Sequence, residues 1–197
     1  IAPQNEPWAK FMIMGPYTKL YKKSFLQENN IKFVKVNIGE DIYFNLQVNA
    51  LAKKVKIIDY VGYYWYTNNE SISNTMHKDI KNLEIDKMLN GSYDSLIEKN
   101  AINPNNKELI ELYYYNFIIW VLQWTTKNTK FKDMSKEYDR LFKWLKERFP
   151  NYKKNKLIGI NKPEGERFVV RIMFFIFMIM HKLHLGKIGV FIFSRMR

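Results

Sequence analysis

The chain has 197 residues, of which 32 are lysine or arginine and 19 are aspartate or glutamate, so its formal net charge is +13. Such a surplus predicts an anionic partner: nucleic acid, an acidic membrane or a phosphorylated substrate. The sequence contains no cysteine, which excludes disulfide bonds, thiolate metal sites and cysteine catalysis. Neither an initiating methionine nor a signal peptide stands at Ile1, and we therefore expect the chain to begin partway through a longer protein.

The first predicted helix runs from Thr18 to about Asn29, after a proline-punctuated lead-in over residues 1–16. A second helix is predicted to begin at Glu40 and Asp41. Beyond these acids, apolar residues recur at helical spacing on two faces: Ile42, Leu46 and Ala50 on one, and Phe44, Val48 and Leu51 on the other. A helix with this pattern belongs in an interior, so the two carboxylates would lie where a buried element reaches the surface.

The start of a helix favours an ionised carboxylate, because free backbone N–H groups and the positive end of the helix dipole lie there. A general base must be ionised to accept a proton, so Glu40 and Asp41 are candidates for that role. The alternative is that the pair is an acidic cap on the helix and has no chemical function.

Two strands are predicted after this helix, at residues 55–59 and 61–66, because β-branched and aromatic residues dominate both segments. The aromatic run over residues 63–66 is compatible with a wall on which apolar sugar faces stack, and equally with a packed sheet. In the polar loop that follows, Ser71 and Ser73 could hydrogen-bond a phosphate or an acceptor hydroxyl, or could only stabilise turns.

From His77 onward the apolar spacing is that of helices. We predict an amphipathic helix ending near Asn100, a nearly uniformly apolar helix over residues 109–124 at the centre of a bundle, and a third helix over residues 133–149.

The C-terminal tail is both basic and apolar. As a helix, the apolar run over residues 168–180 would span roughly 20 Å, less than the ~30 Å hydrocarbon core of a bilayer. Arg171 lies inside the run, other cations flank it, and a second apolar group follows at residues 190–193. Two interpretations stay open, a core helix of the bundle and an in-plane helix on an acidic membrane, and the flanking cations favour the membrane.

Three blocks follow one another within about the first 75 residues: 17–26 with 29–33, then 39–46, then 62–66 with 69–74. Together they resemble the C-terminal half of the catalytic domain of family 2 glycosyltransferases, the inverting GT-A enzymes that build bacterial surface polysaccharides. The middle block is similar to the Glu-Asp motif of that family.

The resemblance implies an α/β fold that is mostly helical in this chain. Residues 1–76 would be the acceptor-side half of a GT-A domain, residues 77–160 a helical domain, and residues 161–197 a basic amphipathic helical tail. By the same analogy, Asp41 would deprotonate the acceptor hydroxyl, and Glu40 would orient Asp41 or contact the acceptor.

The predicted substrate-binding residues are Lys19, Tyr64, Tyr66, Ser71 and Ser73. His77 is a weak candidate for a metal ligand, because some GT-A enzymes present a histidine at about this point. Tyr66 stands where the family often has arginine, so the chain departs from the family pattern at that position.

In the enzymes that the chain resembles, an Asp-x-Asp motif in the N-terminal half holds Mg²⁺ or Mn²⁺ on the nucleotide-sugar. This sequence has no Asp-x-Asp. We therefore expect the chain to lack the donor-binding half and to be inactive alone.

The expected partners are a nucleotide-sugar donor, a glycan or lipid-linked acceptor and an anionic membrane surface, with the protein on the cytoplasmic face of the cell membrane. No nucleic acid is expected, because the lysines are scattered and no recognised binding motif occurs. The alternative function is a non-catalytic, membrane-associated binding or scaffold module.

Overall fold

The computed structural model describes residues 15–56, 58–64, 66, 68, 80 and 83–196. Seven α-helices lie in this part of the chain: α1 (Lys23–Glu28), α2 (Glu40–Leu51), α3 (Ile85–Glu98), α4 (Lys107–Thr125), α5 (Phe131–Arg148), α6 (Phe168–Lys182) and α7 (Gly186–Phe193). A short 3₁₀ turn, Tyr152–Lys154, lies between α5 and α6. The first helix is shorter than predicted, since it begins at Lys23 and not at Thr18.

The predicted α/β class is wrong for the described residues, which are helical apart from loops and one isolated bridge between Gly159 and Lys162. Where they are described, the segments predicted as strands at 55–59 and 61–66 belong to neither a helix nor a strand. Tyr60 and Val61 are 77% and 71% exposed, so they have no sheet face to pack on. Strand propensity produces a strand only where a neighbouring strand accepts the backbone hydrogen bonds, and here the described residues form no sheet.

The chain divides into two compact units. The first unit comprises Ile1–Asn68 and Leu83–Lys107, and the second comprises Asn69–Asn82 and Glu108–Arg197. The domain boundaries predicted at residues 76 and 160 differ from this division and stay a prediction.

In the first unit, α2 buries five consecutive side chains from Phe44 to Val48. One helix face cannot bury five residues in a row, so α2 is covered on more than one side. On one side, Phe33 stacks on Phe44 with ring centroids 4.2 Å apart, and Tyr21 meets the same ring edge-on at 5.2 Å. On α3, the Ser95 hydroxyl donates a 2.9 Å hydrogen bond to the Gln47 side-chain oxygen. As the sequence predicts, α2 is a buried helix.

In the second unit, α4 is the central helix, with 13 of its 19 residues buried. Its aromatic side chains pack on both neighbouring helices. Tyr114 contacts Trp144 of α5 at a centroid distance of 5.0 Å, and Tyr115 contacts Phe177 of α6 at 6.5 Å. The nearly uniform apolar character of residues 109–124 therefore has the origin that the sequence predicts, burial on all sides.

Helix α6 contributes one face to this core. Phe177, Met178 and His181 are buried, and the Tyr115 hydroxyl donates a 3.1 Å hydrogen bond to the carbonyl oxygen of Phe174. Of the two interpretations of the tail, a core helix and an in-plane membrane helix, the first explains the buried side of α6. Within the part of the chain that the structure describes, none of the helices has the length and apolar character that crossing a membrane requires.

The buried His181 ring lies between two tyrosine hydroxyls. Its Nδ1 is hydrogen-bonded to Tyr138 of α5 and its Nε2 to Tyr152 of the 3₁₀ turn. A neutral imidazole has one donor and one acceptor nitrogen, so one hydroxyl accepts and the other donates. Burial, and then the nearby Lys153 and His184, lower the pKa of His181 to about 4.

Candidate functional site

The candidate site begins at the first turn of α2. Gly39 is the N-cap residue and has a left-handed backbone (φ 80°), a conformation that glycine adopts at little cost. Glu40 and Asp41 are the first two residues of the helix, and no side chain caps it by a hydrogen bond. Both carboxylates therefore lie at the positive end of the helix dipole, as both interpretations require.

Asp41 is half-buried, and three side chains of the segment before α1 lie in its electrostatic neighbourhood: Tyr17, Lys19 and Tyr21. These residues alternate along the chain, and Lys22, which follows them, has an extended backbone (φ −67°, ψ 119°). Tyr17 lies in a turn that the Lys19 N–H closes by a 3.3 Å hydrogen bond to the carbonyl oxygen of Pro16. The residues before α1 thus place two phenols and one ammonium group in the electrostatic neighbourhood of one carboxylate.

Burial raises the pKa of the Asp41 carboxyl above its ordinary value of 3.8, and the adjacent Glu40 raises it further. Lys19 opposes this shift, because its positive charge stabilises the ionised carboxylate. In turn, burial lowers the pKa of Lys19 and the Asp41 charge partly offsets that effect. A carboxylate with a raised pKa is a stronger base than one on the open surface, provided that it stays ionised at the working pH.

A buried amide fixes the geometry around Asp41. Asn45, one turn further along α2 and fully buried, donates a 2.9 Å hydrogen bond from Nδ2 to the backbone carbonyl oxygen of Asp41. Its Oδ1 accepts a 3.0 Å hydrogen bond from the Tyr21 hydroxyl. Burial, followed by the charge of Asp41, raises the pKa of Tyr21 to about 12, so this phenol is a donor at neutral pH. The Lys19 ammonium is held as well, by a 2.6 Å hydrogen bond to the carbonyl oxygen of Gly15.

A pair of stacked tyrosines borders the same site. The rings of Tyr17 and Tyr63 lie 4.9 Å apart at an interplanar angle of 22°. They are 37% and 47% exposed, so ring surface stays available to a ligand. The predicted substrate-binding residues Tyr64 and Tyr66 lie on the same non-helical segment as Tyr63 and are 72% and 85% exposed.

Of the predicted site residues, the structure brings together Glu40, Asp41 and Lys19. Ser71, Ser73 and His77 lie outside the described residues, so their predicted roles stay predictions. The described part of the chain contains no group of three or more histidine, aspartate or glutamate side chains that could hold a metal ion. Glu40 and Asp41 alone do not form such a group, and the predicted Mg²⁺ or Mn²⁺ stays an expectation for a donor-binding half.

Sequence reasoning overlooked Tyr17 and Tyr21 as members of the site, and it considered Tyr63 only as part of the aromatic run over residues 63–66. Tyr17 and Tyr21 lie next to Lys19 in the sequence, but their closeness to Asp41 depends on how the chain packs. The stacking of Tyr63 on Tyr17 joins residues 46 positions apart in the chain, and no local pattern indicates it.

Comparison of the chain with protein-family models, with curated proteins and with solved structures gives no match. The site is therefore interpreted from its own geometry and from the three blocks of sequence that resemble family 2 glycosyltransferases.

Proposed function

We propose that the site around Asp41 accepts the proton of an acceptor hydroxyl during inverting sugar transfer from a nucleotide-sugar. The observation that carries this proposal is the half-buried carboxyl of Asp41, with a raised pKa and with the Lys19 ammonium group beside it. The three-block resemblance supports the substrate class, a surface-polysaccharide or glycolipid acceptor. The proposal depends on this local site and not on the α/β fold, which the described residues do not form.

The proposed reaction transfers one proton and one glycosyl group. The Asp41 carboxylate accepts the proton of the acceptor hydroxyl as the oxygen attacks the anomeric carbon of the donor sugar. The new C–O bond forms while the bond to the nucleotide diphosphate breaks, and the diphosphate leaves with the electron pair. Attack from the opposite face inverts the configuration of that carbon.

Each neighbour of Asp41 has a distinct part in this proposal. Lys19 keeps Asp41 ionised until the acceptor binds, and Glu40 raises the affinity of Asp41 for the proton. The stacked rings of Tyr17 and Tyr63 offer apolar surface to a sugar face. Tyr21 and Asn45 are positioning residues, because they hold the first turn of α2 by hydrogen bonds and do not touch the reacting atoms.

The donor would be held mainly by a half of the enzyme that carries an Asp-x-Asp motif. When bound there, Mg²⁺ or Mn²⁺ would offset the charge of the departing diphosphate. The residues of this chain would supply acceptor binding and the base, and we expect the chain alone to be inactive.

A second candidate function is a non-catalytic, membrane-associated scaffold module. The uneven distribution of charge favours it, because residues 108–197 contain 18 of the 32 basic residues and only 8 of the 19 acidic ones. In that case the first turn of α2 would have no chemical role.

The two functions are separated by Asp41→Asn in the active transferase, with its donor-binding half present. Asparagine keeps the size of the side chain but removes the basic oxygen. We expect turnover to fall by roughly 10²–10⁴, the usual contribution of a positioned base, while donor affinity stays unchanged. Glu40→Gln should lower turnover by less. Steady-state kinetics with nucleotide-sugar and acceptor measure both effects.

Asp86→Asn is the matched control, since Asp86 is also the second residue of a helix, α3, and is exposed. It should leave turnover within about twofold of the unchanged enzyme. Equal turnover of the Asp41→Asn and Asp86→Asn variants would contradict the proposal and favour the scaffold module.

A further inference from the structure

The last two helices expose an unusual amount of apolar surface. Of the 23 large hydrophobic residues that are exposed in the described chain, ten lie in the 29 residues from 168 to 196. The surface of a soluble protein rarely has so many exposed hydrophobic residues in one segment, and such a concentration indicates a binding partner. The partner can be identified from the arrangement of these side chains and from the charges beside them.

On α6 the exposed residues form one stripe. It is called the outer stripe here and consists of Phe168, Ile172, Phe175, Ile176, Ile179 and Leu183. Its members recur three and four positions apart, so they share one side of the helix. All of them are exposed or half-buried, whereas the buried Phe177 and His181 face the core from the other side. Helix α6 is therefore apolar on two opposite sides, and only one of them is used in the fold.

Helix α7 repeats this arrangement. Ile188 and Ile192 are exposed and lie four positions apart, while Val190 is buried on the opposite side of the helix; Leu185 before the helix and Met196 after it are exposed as well. A tight turn joins the two helices, in which His184 has a left-handed backbone (φ 63°) and the Leu185 N–H bonds to the Met180 carbonyl oxygen at 2.7 Å. The two helices pack on each other and each keeps an apolar side outward.

Cations lie along one edge of the outer stripe. Arg171 and Lys182 are eleven residues apart, about three helical turns, and so fall on the same side of α6. Lys182 is exposed. The Nε of Arg171 is buried and has no hydrogen-bond partner within the described residues. By contrast, Lys187 is bonded to Asp139 at 2.5 Å and Arg195 to the Thr129 carbonyl oxygen at 2.6 Å, so these two cations hold α7 to the fold.

We propose that α6 and α7 lie in the plane of an anionic bilayer surface, with the outer stripe among the acyl chains and Arg171 and Lys182 at the lipid phosphates. Apolar side chains bordered by cations are complementary to acidic lipid. A second copy of the chain fits less well, because a symmetric contact would bring the same cations together. The 15 residues of α6 make a helix of about 22 Å, which suits an in-plane position. The inference stands independently of the proposed sugar transfer.

The test is co-sedimentation of residues 1–197 with vesicles of phosphatidylcholine and phosphatidylglycerol in a 3:1 ratio, and with vesicles of phosphatidylcholine alone. We expect binding to the first and at least about tenfold weaker binding to the second. Raising the salt concentration from about 0.1 M to 0.5 M should weaken binding several-fold, because salt screens the cations.

The decisive variant is Ile179→Gln with Ile188→Gln, which removes one exposed apolar side chain from each helix. Binding should fall by more than about tenfold, and the thermal transition should not change, because both residues are exposed in the folded chain. Ile160→Gln is the matched control, since Ile160 is 50% exposed but lies outside both helices. It should bind vesicles like the unchanged chain.

Four results would overturn the proposal. The first is that the unchanged chain fails to sediment with the phosphatidylglycerol vesicles. The second is that the double variant binds as well as the control. The third is that inorganic phosphate at constant ionic strength displaces the chain from the vesicles, which would mean that a phosphate group alone is recognised. The fourth, from sedimentation without vesicles, is a dimer that the double variant dissociates, which would assign the outer stripe to a second copy.

Discussion

The two units use aromatic side chains in opposite ways. In the second unit, Tyr114, Tyr115 and Phe117 are at most 1% exposed, because helices surround α4. In the first unit, Tyr64 and Tyr66 are 72% and 85% exposed, because the strand-like segment that carries them joins no sheet within the described residues. The difference shows that an aromatic run is buried only where other helices or strands pack against it. The candidate site includes Tyr63, which belongs to the aromatic run that stays available to a ligand.

The largest effect is expected from a substitution on the core face of α6. Phe177 is 1% exposed and packs among Tyr115, Tyr138 and Phe142. Phe177→Ala leaves a cavity among these rings, and we expect it to lower the free energy of unfolding by about 3–5 kcal/mol. Urea unfolding followed by circular dichroism measures this change.

Ile176→Ala is the control, since this neighbouring residue belongs to the outer stripe and is 44% exposed. It should change the free energy of unfolding by less than about 1 kcal/mol. Similar losses for the two variants would mean that α6 has no distinct core and outer sides, and the comparison between buried and available apolar surface would fail.

An intermediate effect is expected from pH, and it concerns the second unit. The pKa of His181 is about 4 in the folded chain against an ordinary value of 6.5, so the unfolded chain takes up the proton first as the pH falls. The contribution of His181 to the free energy of unfolding should therefore be fully present above about pH 7. It should decrease as the pH falls towards 4. Between pH 7 and pH 5 the loss should be about 2 kcal/mol. Urea unfolding at the two pH values measures it.

His181→Gln removes the titrating group and should abolish most of this pH dependence, although the variant is less stable at pH 7 because the tyrosine hydroxyls lose a partner. His184→Gln, at an exposed position, should keep most of it. A pH dependence that survives His181→Gln unchanged would show that acid destabilises the chain through other groups.

The helices could be predicted because the spacing of apolar residues that indicates a helix is repeated over several turns. Residues 109–124 and 133–149 repeat the 3.6-residue period over several turns, and both form helices within a few residues of the predicted bounds. The strands could not, because residues 61–66 have strand composition but a strand depends on a partner elsewhere in the chain. Similarly, the apolar run of α6 predicts a core helix or a membrane helix, and the fold shows that one helix has a core side and a free side.

In the candidate site, too, the local features could be predicted from the sequence and the contacts between distant residues could not. Glu40 and Asp41 could be singled out because they are adjacent at the start of an apolar helix, a local feature. Lys19, which opposes the rise in the pKa of Asp41, lies about twenty positions earlier, and its closeness depends on how the chain packs.

The smallest effect, and the most direct test of the proposed base, is the pKa of Asp41 measured by carboxyl NMR titration of residues 1–197. We expect a value above the ordinary 3.8. Glu40→Gln should lower it, because a repelling charge is removed, and Lys19→Met should raise it, because an attracting charge is removed. A pKa at or below 3.8 that neither substitution moves would mean that Asp41 is an ordinary surface carboxylate, and the central claim would be contradicted.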